Sequence, residues 1–177
     1  MQKIGVSTNN LDPNNIRLYG NGGTLLPQLN SDFRYDDLQE NAIQVIGEGD
    51  GNFGAQDYIL FYARGHDTWD YNLATDFYDY DQNAFNRVSY YFLKIGSDNG
   101  VRISDIANAT GTVTNTVTTF DDYAAHESIE ENLIKSGRNW FGESFELTTN
   151  QSFGFLFPNI NTSYPVFVKS KFLARST

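Results

Sequence analysis

The chain has 177 residues, with 12 Lys+Arg against 22 Asp+Glu and a formal net charge of −10. A balance this acidic argues against nucleic acid and anionic membrane surfaces as partners, because phosphates and headgroups demand cations. The lack of any cysteine removes disulfides, thiolate metal sites and a cysteine nucleophile together, and two histidines, His66 and His126, leave little for zinc or general-base chemistry.

Aromatic residues make up 15% of the chain, and with many Gly and Asn they favour strands and tight turns over helices. Residues 6–15 form a polar lead-in. Residues 16–19 read as a short strand, stopped by Gly20-Asn21-Gly22-Gly23, which supplies positive φ for a turn. A polar loop over 28–37 precedes a strand at 43–46, ended by the glycine-rich run 47–54. Asp57-Tyr-Ile-Leu-Phe-Tyr62 is the clearest strand; apolar on both faces, it predicts a central position in a sheet with Tyr58, Ile59 and Phe61 buried. Residues 89–95 repeat the pattern around a buried Leu93, and the acidic, aromatic stretch 64–87 between them reads as a surface excursion. Further strands are expected at 112–120, 145–149, 153–157 and 166–174. Only 127–135 suggests a helix, with Ser128 as N-cap and Glu131 three residues on, while Trp140 and Phe141 read as a packed corner.

Closely spaced strands without alternating helices predict an all-β fold, an antiparallel β-sandwich of jelly-roll type with at most one short helix. One domain is expected over residues 1–177, the alternative being a division into two small modules near Gly142. No run reaches the roughly 20 apolar residues of a membrane helix, so no membrane insertion is expected. The start lacks a signal-peptide core, which fits either a cytoplasmic protein or a piece of a longer exported chain, and the last strand, running almost to Thr177, reads as a boundary within a longer chain.

Several constellations invite chemistry. Gly49-Asp50-Gly51-Asn52-Phe53-Gly54 matches G-x-G-x-x-G, but a strand follows where a dinucleotide site needs a helix, and Glu48 and Asp50 repel phosphate. The same turn can be laid on a calcium loop with Asp50, Asn52 and Asp57 as oxygen ligands, although Ile46 falls at the first ligand position. Against this stands a plain turn whose carboxylates cap backbone amides. Trp69, Tyr71, Tyr78 and Tyr80, interleaved with Asp76, Asp79 and Asp81, offer stacking rings beside hydrogen-bonding carboxylates, as a glycan or partner surface requires. The competing reading tucks these rings against the sheets. His126-Glu127 opens like a zinc-protease motif, but Glu130 stands where the second histidine belongs. No G-x-S-x-G marks a serine nucleophile, and a carboxylate pair such as Asp121 or Asp122 with Glu127 reads first as turn chemistry.

Taken in order, further segments form a larger pattern: Asn15-Ile-Arg-Leu-Tyr-Gly-Asn-Gly-Gly23, Asp37-Leu-Gln-Glu-Asn-Ala-Ile43, Gly47-Glu-Gly-Asp-Gly-Asn-Phe53 and Asp57-Tyr-Ile-Leu-Phe-Tyr62. Tyr90-Tyr-Phe-Leu93, Phe120-Asp-Asp-Tyr-Ala-Ala-His-Glu127 and Ser136-Gly-Arg-Asn-Trp-Phe-Gly-Glu143 complete it. This set resembles the N-terminal region of the PorU family of type IX secretion sortases, gingipain-like cysteine peptidases of Bacteroidetes. The resemblance runs from about Asn14 to Arg175, with Ala63-Arg64-Gly65 departing where Gly is expected after Phe-Tyr. It implies a parent enzyme at the outer membrane or cell surface that trims secretion signals from cargo and joins the cargo to lipopolysaccharide. The family's catalytic Cys and His lie in a downstream peptidase domain, so no catalytic residue carries over. The chain is then a non-catalytic accessory domain that requires no cofactor. Its partners would be that peptidase domain and secretion-system components. The alternative is a glycan-binding module aided by Ca²⁺.

Overall fold

The N-terminal strand starts from a defined cap. Asp12 Oδ1 accepts the Asn14 amide at 2.9 Å and closes the 3₁₀ turn Pro13–Asn15, whose leading proline has no N–H to satisfy. In the computed structural model, which describes residues 4–174, β1 (Ile16–Tyr19) follows directly. It pairs antiparallel with β2 (Glu40–Asn41) on one side and with β7 (Phe92–Ile95) on the other. β3 (Ile43–Ile46) pairs with β4 (Tyr58–Phe61), and β5 (Thr68–Asn72) pairs with β6 (Phe77–Asp81). The regular structure is therefore all β, in small antiparallel sheets of three, two and two strands, with no α-helix among the described residues.

One core joins the first two sheets. Period-2 alternation sends Ile16 and Leu18 of β1, and Ile43 and Val45 of β3, to the interior, where Leu11 and Phe53 close the cluster. Ile59, Tyr91 and Leu93 pack against it half-buried. The chain after β7 then fastens these layers. Gly96 and Gly100 donate to the carbonyls of Asn15 and Asn14 at 2.9 and 2.8 Å. Ile43 donates to Val101 and receives Ile103 at 3.1 and 2.9 Å, a parallel bridge along β3. Arg102 completes the fastening: Nη2 reaches the Pro13 carbonyl at 2.7 Å, Nη1 the Ile16 carbonyl at 3.2 Å, and Nε Glu48 Oε2 at 2.9 Å. Glycine is required at position 100, because any Cβ there would collide with the Ile16 carbonyl oxygen.

Several expectations meet a different outcome. β4 is not central: among the described residues β3 is its only neighbour, so Tyr58 stays 50% exposed and Phe61 39%, and of the residues of β4 only Ile59 packs against the core. The stretch 64–87 lies at the surface except for the buried Asn83, and within it the chain pairs as the β5–β6 hairpin, strands that its sequence reading did not include. Residues 112–120, 145–149, 153–157 and 166–174 form no strand, and Val113, Phe120, Leu147, Leu156 and Val168 stand in solvent. Alternation gives a segment a face, but a strand also needs a ladder partner, and no main chain is set opposite these runs. The total accessible surface of 14864 Å² reflects this open half, against roughly 8,700 Å² for a close-packed chain of this mass. The expected 127–135 helix is replaced by a turn: Glu130 and Glu131 donate to the Phe141 carbonyl at 3.0 and 2.9 Å, and Phe141 returns a bond to Glu131 at 2.8 Å. Trp140 and Phe141 are half-buried at that corner.

The core assignment sets an order of mutational costs. Ile43→Ala should cost about 2–5 kcal/mol in urea denaturation, because it empties a fully buried site. Phe61→Ala should cost less than half of that, because the ring is already wet; equal costs would contradict the edge position of β4.

Candidate functional site

The β5–β6 hairpin is built from two alternating runs, Thr-Trp-Asp-Tyr-Asn and Phe-Tyr-Asp-Tyr-Asp. Asn72 turns the chain between them: its Oδ1 accepts the Ala74 amide at 3.0 Å and its carbonyl accepts Asp76 at 2.9 Å. Asp76 sits in the left-handed region at φ 57, which a short polar side chain tolerates. The register sets Trp69 opposite Tyr80 and Tyr71 opposite Tyr78, so all four rings proposed from the sequence share one face. Their centroids lie 4.9 and 5.2 Å apart in tilted pairs. Tyr123, from the long segment after β7, packs edge-on to Tyr78 at 4.5 Å and lies 6.2 Å from Trp69. Trp69, Tyr71, Tyr78 and Tyr123 all remain 39–47% exposed, so the rings pack on one another and still present a surface.

Carboxylates fix the rings at both ends of this ladder. The Tyr71 hydroxyl donates to Asp76 and the Tyr80 hydroxyl donates to Asp67 Oδ2 at 3.0 Å. Asp67 also accepts the Asn83 amide at 3.1 Å and is paired with His66. Burial alone would raise the Asp67 carboxyl, but the bonds from His66, Asn83 and Tyr80 outweigh it and hold it below the ordinary range. Asn83, the buried polar side chain of the region, donates Nδ2 to the Gly23 carbonyl at 2.8 Å and so ties the hairpin to the turn after β1. The opposite face carries Asp70 directly across from Asp79, a like-charge pair that would push the strands apart. Arg64 lies 3.9 Å from Asp70, and Lys169 and Asn72 bind Asp79, which relieves the repulsion.

The calcium candidates are arranged differently. Asp50 Oδ1 accepts the Asn52 amide at 2.9 Å, Asp57 Oδ2 accepts the Gly54 amide at 2.6 Å, and Glu48 is held by Arg102. Gly47, at φ 97, allows the Asp57 carboxylate to approach so closely that a Cβ would strike it. Asp50 and Asp57 are thus engaged with turn amides, and no group of three His, Asp or Glu side chains suited to a metal ion occurs among the described residues. Of the proposed carboxylate pair, Asp122 accepts the Tyr123 amide at 2.9 Å. Burial raises the Glu127 carboxyl, and the groups that act on it are Asp81 and Asp67, which add to the rise, and Lys171, which opposes it. His126 is bound to Glu143 at 2.6 Å and lies against Phe153.

Sequence reasoning missed Asp67 and Tyr123 as members of the site. The hairpin itself was detectable, as two period-2 runs around a short polar turn. Tyr123 had no such signal, because it reaches the rings from a segment without periodicity. No helix among the described residues is long and apolar enough to cross a membrane. The chain matches no protein-family model, no curated protein and no solved structure.

Two outcomes follow for stability. Burial, and then the bond to Asp67, push the Tyr80 hydroxyl from 10.0 up to about 12. The folded state keeps this proton where the unfolded chain has lost it, so the contribution is full below pH 10.0 and fades as pH rises through about 12. Tyr80→Phe should lower stability at neutral pH and flatten that alkaline limb in denaturation curves; an unchanged limb would refute the assignment. Calcium should leave the melting temperature where EDTA leaves it if Asp50 and Asp57 serve as turn caps, each already accepting a backbone amide; a rise of several degrees would support the metal reading instead.

Proposed function

We propose that the chain is a non-catalytic accessory β-domain of a PorU-type sortase, a gingipain-like cysteine peptidase, acting in type IX secretion. Its place would be extracytoplasmic, at the outer membrane or cell surface, and its first partner the peptidase domain of the same polypeptide. The observation that supports this reading is where the motif residues lie. Ile16, Leu18, Ile43 and Phe53, four of the six buried apolar residues, belong to the segments that carry the resemblance. Three of the seven segments, 15–23, 37–43 and 47–53, therefore contribute to a scaffold, and on this reading the peptidase nucleophile, absent from a chain without cysteine, belongs to another part of the polypeptide.

A second reading, an extracellular glycan-binding module, is favoured by the aromatic face of the hairpin. Cross-strand rings anchored by Asp67 and Asp76 form a partly exposed aromatic surface, its rings tilted against one another, with hydrogen-bonding groups at its edge, a combination that sugar rings can stack on.

The two readings separate on the gene. A reading frame that continues past the Thr177 codon into a Cys/His peptidase domain supports the accessory role, and a stop codon there contradicts it. Incubation of the chain with a cargo C-terminal signal should leave the signal uncut; cleavage by this chain would overturn the non-catalytic assignment.

A further inference from the structure

The aromatic face is not neutral towards its ligand. Tyr71, Tyr78 and Tyr123 stand together, with Tyr78 and Tyr123 edge to face at 4.5 Å and Tyr71 and Tyr78 at 5.2 Å. The carboxylate of Asp76 lies at the Tyr71 hydroxyl, and Asp121 acts on Tyr123 from two residues away. Ring faces are the negative end of the aromatic quadrupole, so tyrosines grouped beside carboxylates hold a field that attracts a cation and repels an anion. The surrounding charge has the same sign, at −10 for the chain. Of the nearby cations, Arg64 and Lys169 serve Asp70 and Asp79 on the opposite face, and Arg87 acts on Tyr80, in the neighbouring ring pair and not at Tyr71, Tyr78 or Tyr123.

We propose that Tyr71, Tyr78, Tyr123 and Asp76 form a subsite for a protonated amine, and that the ligand of the β5–β6 face is an amino sugar with a free ammonium group. This rests on the glycan-binding reading and narrows it. The remaining rings, Trp69 and Tyr80, provide the stacking surface for the adjoining sugar, since their register pair lies next to the Tyr71–Tyr78 pair along the hairpin. N-acetylated, neutral and sulfated or carboxylated sugars lack the charge this subsite selects.

The test is titration of the chain with the tetramer of glucosamine, the tetramer of N-acetylglucosamine, cellotetraose and tetralysine, read by Trp fluorescence and calorimetry at mildly acidic pH. The glucosamine tetramer should bind roughly tenfold tighter than either neutral sugar, the size of one cation–π contact with its charge partner, and should weaken at high salt. Tyr123→Ala should remove this preference. Tyr123 lies outside the hairpin, so its loss leaves the strand pairing intact. Asp76→Asn keeps an acceptor for the Tyr71 hydroxyl and removes only the charge, and should cost the preference as well. Equal binding of all three sugars would overturn the ammonium subsite while leaving the glycan reading standing. Binding of none of them would remove both. Tetralysine binding as tightly as the glucosamine tetramer would overturn the sugar assignment, and a wild-type preference in both variants would place the recognition elsewhere.

Discussion

Arg102 is the side chain on which the ordered part of this protein depends. Its guanidinium bonds the carbonyls of Pro13 and Ile16 and the carboxylate of Glu48, three points that belong to the turn before β1, to β1 itself and to the turn after β3. The same residue forms the parallel bridge to Ile43. One residue therefore holds both sheets that share the core, and it uses donors in fixed planar directions, which a lysine could not reproduce. Ile16 and Ile43, the apolar residues sealed most completely, lie beneath this clamp. A core of six buried apolar residues is small, so directional bonds at its rim matter more here than in a larger domain.

From the clamp the order passes outward to the hairpin. Just past β1, Gly20 donates to the Gln39 carbonyl at 2.9 Å, and the following turn presents the Gly23 carbonyl to Asn83. Asn83 in turn donates its amide to Asp67, and Asp67 holds Tyr80. The aromatic face is thus joined to the core by a chain of polar contacts, with its rings left at the surface. An arrangement of that kind suits recognition: the platform is oriented by the scaffold, and its own side chains are free to meet a ligand.

How much of this was readable in the sequence depends on where each strand finds its partner. β1 and β3 were legible to the residue, because short apolar alternation was bounded by glycine turns. The four site rings were legible as candidates for another reason, their interleaving with Asp76, Asp79 and Asp81. The edge position of β4 was not, since two apolar faces say that a strand is capable of burial but not that a second neighbour exists. Likewise the Val-Thr alternation of 112–120 is a good strand pattern, yet it acquires no ladder. Arg102 carried no local signal at all. Its role arises from carbonyls more than 80 residues away in sequence, at 86 and 89 positions of separation, which only the fold brings together. The roles of Asp50 and Asp57 were legible as a pair of alternatives, and their hydrogen bonds to Asn52 and Gly54 are those of turn capping.

Native-state hydrogen exchange, resolved by residue, bears most directly on this picture. The amides of Ile43, Gly96, Gly100 and Ile103, which donate across the clamp, should exchange most slowly, only as the whole core opens. Amides of the β5–β6 hairpin should be intermediate, and those of 112–120 and 153–157 should show no protection. Protection in 112–120 and 153–157 equal to that at Ile43 would mean that these segments are paired strands of a larger sandwich, and would contradict a fold organised around Arg102 and the small core beneath it.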